Sequence, residues 1–365
     1  MYHVDVIRIP CGGPGDVSGL VALIESGRLA PADVVAVMGK TEGNGCVNDY
    51  TREYASATLA ATLGRYLELT PLAVERRVAF VMSGGTEGVL SPHITVFARR
   101  HATAPAAGKR MTIGIAFTRD FLPEEMGRRA QIEETADAVR RAMADGGIAS
   151  VADVHFVQVK CPLLTPAKIA AARTRGRAPV TVDTYESMGY SRGASALGVA
   201  LAMGEILPTQ VSDQAVLHDW SLHSSVASVS AGIELENNVV IVMGMSAQAS
   251  GDLVVAHGVM ADAIDAASVR RTMEGLGIFG TGDLGRVVNV FAKAEASPDG
   301  LVRGMRHTML GDSDINATRH ARAAAGAVIA SVAGHGMVYV SGGAEHQGPA
   351  GGGPVAVIAR CAASQ

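Results

Sequence analysis

The sequence predicts an α/β protein made of three concatenated copies of one unit, and three observations carry that expectation. The pattern S-[GA]-G-x-E occurs at Ser83-Gly84-Gly85-Thr86-Glu87, Ser230-Ala231-Gly232-Ile233-Glu234 and Ser341-Gly342-Gly343-Ala344-Glu345. Each copy follows one apolar, strand-like run and precedes another: RVAFVM and HITVFAR, SVASV and NNVVIVMG, GMVYV and PVAVIAR. Upstream of each serine a further β-rich run ends at a lysine, VVAVMGK at Lys40, HFVQVK at Lys160 and VVNVFAK at Lys293. Self-similarity over a long period marks repeated supersecondary units. Strand runs that alternate with alanine-rich helical patterns give the α/β order.

The first unit, residues 1–103, opens with MYHVDVIRIP, whose polar and apolar residues alternate as in a half-buried strand. After Lys40 comes the helical pattern TREYASATLAATL with Arg52 near its start, then the strand into Ser83. HATAPAAGKR, rich in Ala, Pro and Gly, reads as a linker. The second unit, 111–250, carries VRRAMADGGI from Val139, the Lys160 strand, the helix SRGASALGVALA with Arg192, and Ser230. Small polar residues at Ser250-Gly251-Asp252 mark the next join. In the third unit, 255–365, VRRTMEGLGI from Val269 echoes the second unit's helix, and Arg319 opens TRHARAAAGAVIA between Lys293 and Ser341.

Bulk composition narrows the class. With 365 residues, 48% hydrophobic and 18% charged, the chain has the balance of a folded globular protein. A net charge of −4 without runs of one sign gives no footprint for nucleic acid. The longest weakly polar stretch, Ala323 to Val340, is Ala/Gly-rich and contains Ser331 and His335, so it reads as a packed helix followed by a strand and not as a membrane span, and no basic-then-apolar leader opens the sequence. Cys11, Cys46, Cys161 and Cys361 are too scattered for a disulfide frame or a zinc site, which suits a reducing cytoplasm.

Lysine and serine at strand ends in every unit would bring three Lys, three Ser and three Arg toward one axis. Serine is a weak nucleophile that needs a base, and lysine serves only when its pKa falls far below its usual value of about 10.4. Crowded cations and burial both push it down. The small residues Gly84, Ala231 and Gly342 after the serines leave backbone N–H groups to face a developing oxyanion. Rival chemistries are weaker. No GxSxG elbow is present, the histidines occupy no matched positions, and Gly39-Lys40-Thr41 lacks the earlier glycine of a phosphate loop. Glu124, Glu125, Glu133 and Glu134 sit in Arg-rich helical surroundings and read as a solvated face. Lys40 and Lys293 are followed two residues on by Glu42 and Glu295, whereas Lys160 is followed by Cys161 and Pro162. A lysine without a carboxylate is the better base, so Lys160 acting on Ser230 is expected.

Longer stretches, among them VMGKTEGNGCVNDYTREYA, FVMSGGTEGVLSPH, QVKCPLLTPAKIA, DTYESMGYSRGASALG, NVFAKAEASPDG and GMVYVSGGAEHQGPAGGGP, resemble the cyanuric acid hydrolase and barbiturase family from end to end. The resemblance implies three α/β units related by pseudo-threefold symmetry, with strands forming a central β-barrel surrounded by helices. It implies hydrolysis of the s-triazine ring of cyanuric acid to carboxybiuret, which decarboxylates to biuret, with Ser230 as nucleophile and Lys160 as base. The pairs Ser83 with Lys40 and Ser341 with Lys293, the arginines Arg52, Arg192 and Arg319, and Gly84, Ala231 and Gly342 would hold the ring. No cofactor is implied for the chemistry. A structural divalent cation, Mg or Ca, is implied at Glu295, Ala344, Gln347, Gly348, Pro349 and Gly352, and a homotetramer as the assembly.

Overall fold

The computed structural model describes residues 1–362, so the last three residues of the third expected unit lie outside the description. The first third of the chain runs β1 (Tyr2–Pro10), α1 (Ser18–Glu25), β2 (Val34–Thr41), α2 (Thr51–Leu67), α3 (Pro71–Glu75), β3 (Ala79–Gly84) and β4 (His93–His101). The second runs β5 (Arg110–Phe117), α4 (Arg129–Asp145), β6 (Val154–Cys161), α5 (Pro166–Thr174), α6 (Thr184–Met203), β7 (Ala227–Ala231), β8 (Val239–Ser246) and the two-residue β9 (Ala249–Ser250). The last holds β10 (Leu253–Met260), α7 (Ala266–Glu274), β11 (Val287–Ala294), a small hairpin of β12 (Leu301–Val302) and β13 (Met305–Arg306), α8 (Ala317–Ala333), β14 (Tyr339–Gly342) and β15 (Gly353–Arg360).

Three sheets result, ordered β3-β2-β4-β1-β9, β7-β6-β8-β5 and β14-β11-β15-β10. In each, the lysine strand pairs in parallel with the serine strand on one side and antiparallel with the last long strand on the other. The same irregularity recurs where each lysine strand begins, at Val34/Ala36, Val154/Phe156 and Val287/Asn289. An extra residue there bends the strand and strengthens its twist.

The strands do not close into the central barrel that the resemblance implies. Among the described residues the three sheets meet mainly through side chains, with only β9 reaching from the second third of the chain to pair with β1. One apolar core lies between them, built from Val6 and Phe97 of the first sheet, Phe156 and Ile241 of the second, and Phe291 and Ile358 of the third. Phe291 sits at its middle, with its ring centroid 6.1 Å from that of Phe97, 5.7 Å from Phe156 and 5.6 Å from Tyr339. Such tilted aromatic pairs add about 0.5–1.5 kcal/mol each beyond the area they bury.

Helices cover the outer faces: α1 and α2 over the first sheet, α4 and α6 over the second, α7 and α8 over the third. The two echoed segments fall in α4 and α7, where Val139 and Val269 are fully buried. The long helices end by local chemistry. Asp183 caps α6 by accepting from Glu186 N–H, Asn316 caps α8 from Thr318 N–H, and Gly204 and Gly334 stop them in left-handed conformations. No described helix is long and apolar enough to cross a membrane.

Candidate active site

Parallel pairing decides where the polar residues go. Because lysine and serine strands run the same way, their C-terminal ends share one edge of each sheet, and the register sets Lys40 opposite Ser83, Lys160 opposite Ser230 and Lys293 opposite Ser341. All three lysines are 1% exposed. The serines converge on one small cavity that is also lined by Gly84, Ala231 and Gly342 and by the guanidinium groups of Arg52, Arg192 and Arg322. Ser230 and Ser341 touch, Oγ to Oγ, at 3.2 Å.

Two corners of this cavity match. Lys40 Nζ donates to Ser83 Oγ (3.1 Å) and to the Gly84 carbonyl (3.4 Å), and Lys293 Nζ donates to Ser341 Oγ (2.9 Å) and to the Gly342 carbonyl (2.8 Å). The third departs. Lys160 has no hydrogen bond to Ser230, and the Ala231 carbonyl accepts instead from Arg52 Nη1 at 2.9 Å. Lysines also reach across to the next sheet: Lys160 Nζ donates to the Met82 carbonyl at 2.8 Å, and Lys293 Nζ to the Val229 carbonyl.

The arginines are fixed by the glutamates that end the S-[GA]-G-x-E pattern. Arg322 grips Glu87 through Nε and Nη2 (2.9 and 2.6 Å), and Arg192 grips Glu345 in the same way (2.7 and 2.5 Å). Such forked pairs fix orientation as well as charge. Gly85 and Gly343 make room for them. Both have positive φ, and a Cβ would stand 2.5 Å from Arg322 Nε at the first and 2.6 Å from Arg192 Nε at the second. Glu234 lacks a guanidinium partner and lies 3.5 Å from Lys160 Nζ.

Two expectations are corrected here. Arg319 does not line the cavity. It lies one helical turn earlier on α8, its side chain is 40% exposed, and it makes only a single contact to Glu87 at 3.2 Å, whereas the side chain of Arg322 is 3% exposed. The ground for singling out Lys160 also fails, because Lys160 is the lysine with a carboxylate beside it. Glu42 is exposed, and Glu295 turns to the Gly343 N–H and the Thr318 hydroxyl.

Burial lowers the pKa of all three lysines. For Lys40 the nearby Arg322 adds to it, and for Lys293 Arg192 does, leaving both well below the ordinary range. For Lys160 burial is opposed by Glu234 and reinforced by Arg52, and the pKa comes to about 8. Burial works against ionisation of Glu234, but Lys160 and Arg52 outweigh it and hold the carboxyl below its usual range. A lysine poised near neutrality can accept a proton and return it.

A family profile described as amidohydrolase ring-opening protein matches residues 5–360. The chain belongs to that family. The curated cyanuric acid amidohydrolase of Pseudomonas sp. (strain ADP) is 76% identical over 362 residues, 99% of this chain and 100% of that one. Its counterpart in Bradyrhizobium diazoefficiens is 62% identical over 98% of each chain. A solved cyanuric acid hydrolase superposes with a TM-score of 0.96 at 76% identity, covering 99% of this chain and 100% of that one. Another from A. caulinodans gives 0.93 at 50% identity with full coverage of both. This ring-opening amidohydrolase is therefore a hydrolase, and the cavity is its candidate site.

Glu295 ends one residue beyond β11 and accepts from the Ala296 N–H (2.8 Å), the Gly343 N–H (2.9 Å) and the Thr318 hydroxyl (3.1 Å). Burial and the neighbouring Glu345 push its pKa up, so an added cation would relieve it. Ala344, Gly348, Pro349 and Gly352 lie on the loop between β14 and β15, and the Ala344 and Pro349 carbonyls each accept one backbone N–H. The Gln347 side chain instead accepts from the Val229 N–H and donates to the Gly343 and Glu345 carbonyls. Among the described residues no cluster of three His, Cys, Asp or Glu could hold a metal. A cation here would rest on one carboxylate and backbone carbonyls, a donor set that fits a hard ion.

Sequence reasoning overlooked several residues of this family site. Arg322 was signalled by its C-terminal neighbours, since R-A-A-A-G-A-V-I-A matches R-G-A-S-A-L-G-V-A starting at Arg192. The glutamates were already in the motif. Tyr339 had no signal: its place two residues before the serine belongs to Val81 and Ser228 in the other sheets. Its buried hydroxyl comes close to Ser83 and Ser230 without reaching hydrogen-bond geometry.

Proposed function

We propose that this enzyme opens the ring of cyanuric acid, and that it is built from three concatenated units, 1–103, 111–250 and 255–365, about a pseudo-threefold axis. The observation that carries the reading is the convergence on one cavity of three serines, each opposite a buried lysine in register, and three buried or nearly buried arginines. A ring with three equivalent carbonyls and three N–H groups matches that arrangement. The names of the relatives agree with it, and one of them is described as an innovation by structural concatenation.

Arg52, Arg192 and Arg322 hold the ring oxygens, and the backbone N–H groups of Gly84, Ala231 and Gly342 supplement them at the carbonyl under attack. Ser230 is the nucleophile. As its Oγ bonds to the ring carbon, its proton passes to the neutral amine of Lys160, and the same proton then reaches the ring nitrogen as the C–N bond breaks. Water releases the acyl group as carboxybiuret, which loses carbon dioxide to give biuret. Lys160 is favoured because burial lowers its pKa to about 8, where the amine can both take and return a proton, and because it alone has a glutamate beside it in place of its serine. Lys40 and Lys293, tied to Ser83 and Ser341, hold and polarise the ring.

A hard cation, Mg or Ca, at Glu295 and the carbonyls of the β14–β15 loop would brace that loop, which carries Glu345 and so Arg192. Exhaustive chelation is expected to lower the melting temperature by a few degrees, and re-addition of either ion to restore it. We further place the enzyme in the cytoplasm as a homotetramer, in keeping with its four free thiols; light scattering tests the assembly.

The deciding assay follows loss of ring absorbance with cyanuric acid and with barbituric acid, and measures biuret at the end. Turnover of cyanuric acid, abolished in Ser230→Ala with ligand binding retained, is expected. Turnover of barbituric acid alone would reassign the substrate, and turnover of neither would overturn the reading.

A further inference from the structure

The corner at Lys160 also differs in what lies behind it. A cavity of about 510 Å³ opens to solvent past Glu53, Arg76 and Glu236 and reaches the buried Lys160 and the mostly buried Glu234, whose side chain is 14% exposed. It is separate from the small cavity lined by the serines. Its wall includes Ser56 and Asn237, so it is polar enough to hold ordered water. Glu234 Oε2 is buried and has no hydrogen-bond partner. A buried carboxylate oxygen without a donor marks a place where water belongs.

The pairing of the arginines shows why this oxygen is free. Arg322 is held by Glu87 across one contact between thirds of the chain, and Arg192 by Glu345 across another. The matching partner for Glu234 is Arg52, but Arg52 directs its guanidinium to the Ala231 and Cys46 carbonyls, at 2.9 and 2.8 Å. Glu234 is left beside Lys160 alone.

The proposed reaction needs an outlet. Within a turnover the serine proton goes to Lys160 and on to the ring nitrogen. Water then adds to the acyl carbon, its proton passes through Lys160 back to Ser230 as the Oγ–C bond breaks, and the product is freed within the site as a carbamic acid. That acid gives its proton to the neutral amine of Lys160 and departs as the carbamate, so one proton per turnover is left on the amine and must reach bulk solvent. We infer that Glu234 is the relay between Lys160 and water in the 510 Å³ cavity, and that this cavity, not the substrate cavity, carries the proton out. Glu234 acts through Lys160 and so positions and relays without touching the ring. The inference rests on Lys160 being the base.

The test compares full-length Glu234→Ala, Lys160→Ala and Ser230→Ala with the parent enzyme, with and without sodium formate. Glu234→Ala is expected to lower kcat by about 100-fold, the low end of what a lost proton-transfer group costs, while KM stays within about twofold. Formate, small enough to enter the cavity, is expected to restore kcat several-fold and saturably. Adding Ala57→Trp, at the exposed rim on α2, is expected to block that restoration. Unchanged kcat in Glu234→Ala, or a loss that formate does not repair in a variant that still binds substrate, would overturn the relay while leaving Lys160 as base. Retained turnover in Lys160→Ala or Ser230→Ala would instead overturn the underlying reading.

Discussion

At the Lys293–Ser341 corner the polar groups are engaged: the amine holds its serine and the next carbonyl, and Glu345 is locked to Arg192. At the Lys160–Ser230 corner the same residue types occupy the same register, yet the amine leaves its serine alone and Glu234 faces the amine in place of a guanidinium. The backbone frame is equivalent, and the difference lies in which cation each glutamate meets. Three sheets of matching register can thus hold three similar corners, with one exchange of partners setting one of them apart, and that corner is the one proposed to react.

The largest effect that separates the corners is expected from the serines. Ser230→Ala and Lys160→Ala should each lower kcat by at least about 10³-fold, while Ser83→Ala and Ser341→Ala should cost about 10- to 100-fold and act mainly through KM. Equal losses in all three serines would abolish the distinction. Next, Arg322→Ala should lower kcat/KM by about 100-fold or more as a buried, forked donor, and the half-exposed Arg319→Ala by less than about threefold. Steady-state kinetics on both variants checks the helical register directly.

Stability gives a smaller contrast. Glu345→Gln strands the Arg192 guanidinium and should cost about 3 kcal/mol in urea unfolding, whereas Glu234→Gln, which loosens a longer contact, should cost about 1 kcal/mol. The pH profile offers the finest cut. A base at Lys160 must be neutral to act, so on the proposed mechanism kcat/KM should rise as pH increases through about 8. Glu234 holds that pKa up, so Glu234→Gln should move the rising limb to lower pH, and a limb that stays in place would dissociate Glu234 from the base.

What was readable in the sequence was local. A strand's period and a motif at its end suffice to put Lys40, Lys160 and Lys293 beside their serines, because parallel pairing carries both to one edge. Arg319 opens the helical pattern and so stands out in sequence, but Arg322, three residues on, lies near the same face, and only the depth of packing tells them apart. The partner of each glutamate depends on contacts between sheets, at separations of 235 residues for Arg322 with Glu87 and 153 for Arg192 with Glu345, which no local pattern encodes. The neighbouring residue in sequence, Glu42 or Glu295, was a poor guide to the charge that each lysine meets. The expected closed barrel gave way to three sheets for a related reason, since meeting by side chains or by ladder hydrogen bonds is settled at the sheet edges.

Lys160 and Lys293 each place their amine on a carbonyl that belongs to another sheet, Met82 in one case and Val229 in the other. Each amine also has partners of its own, Glu234 beside Lys160 and Ser341 and Gly342 at Lys293, so the added carbonyl ties the neighbouring sheet to the lysine strand. One third of the chain expressed by itself would lose these contacts and open the face of its sheet that they cover. The molecule should therefore melt in a single calorimetric transition, with these two buried lysines acting as the rivets of its cooperativity.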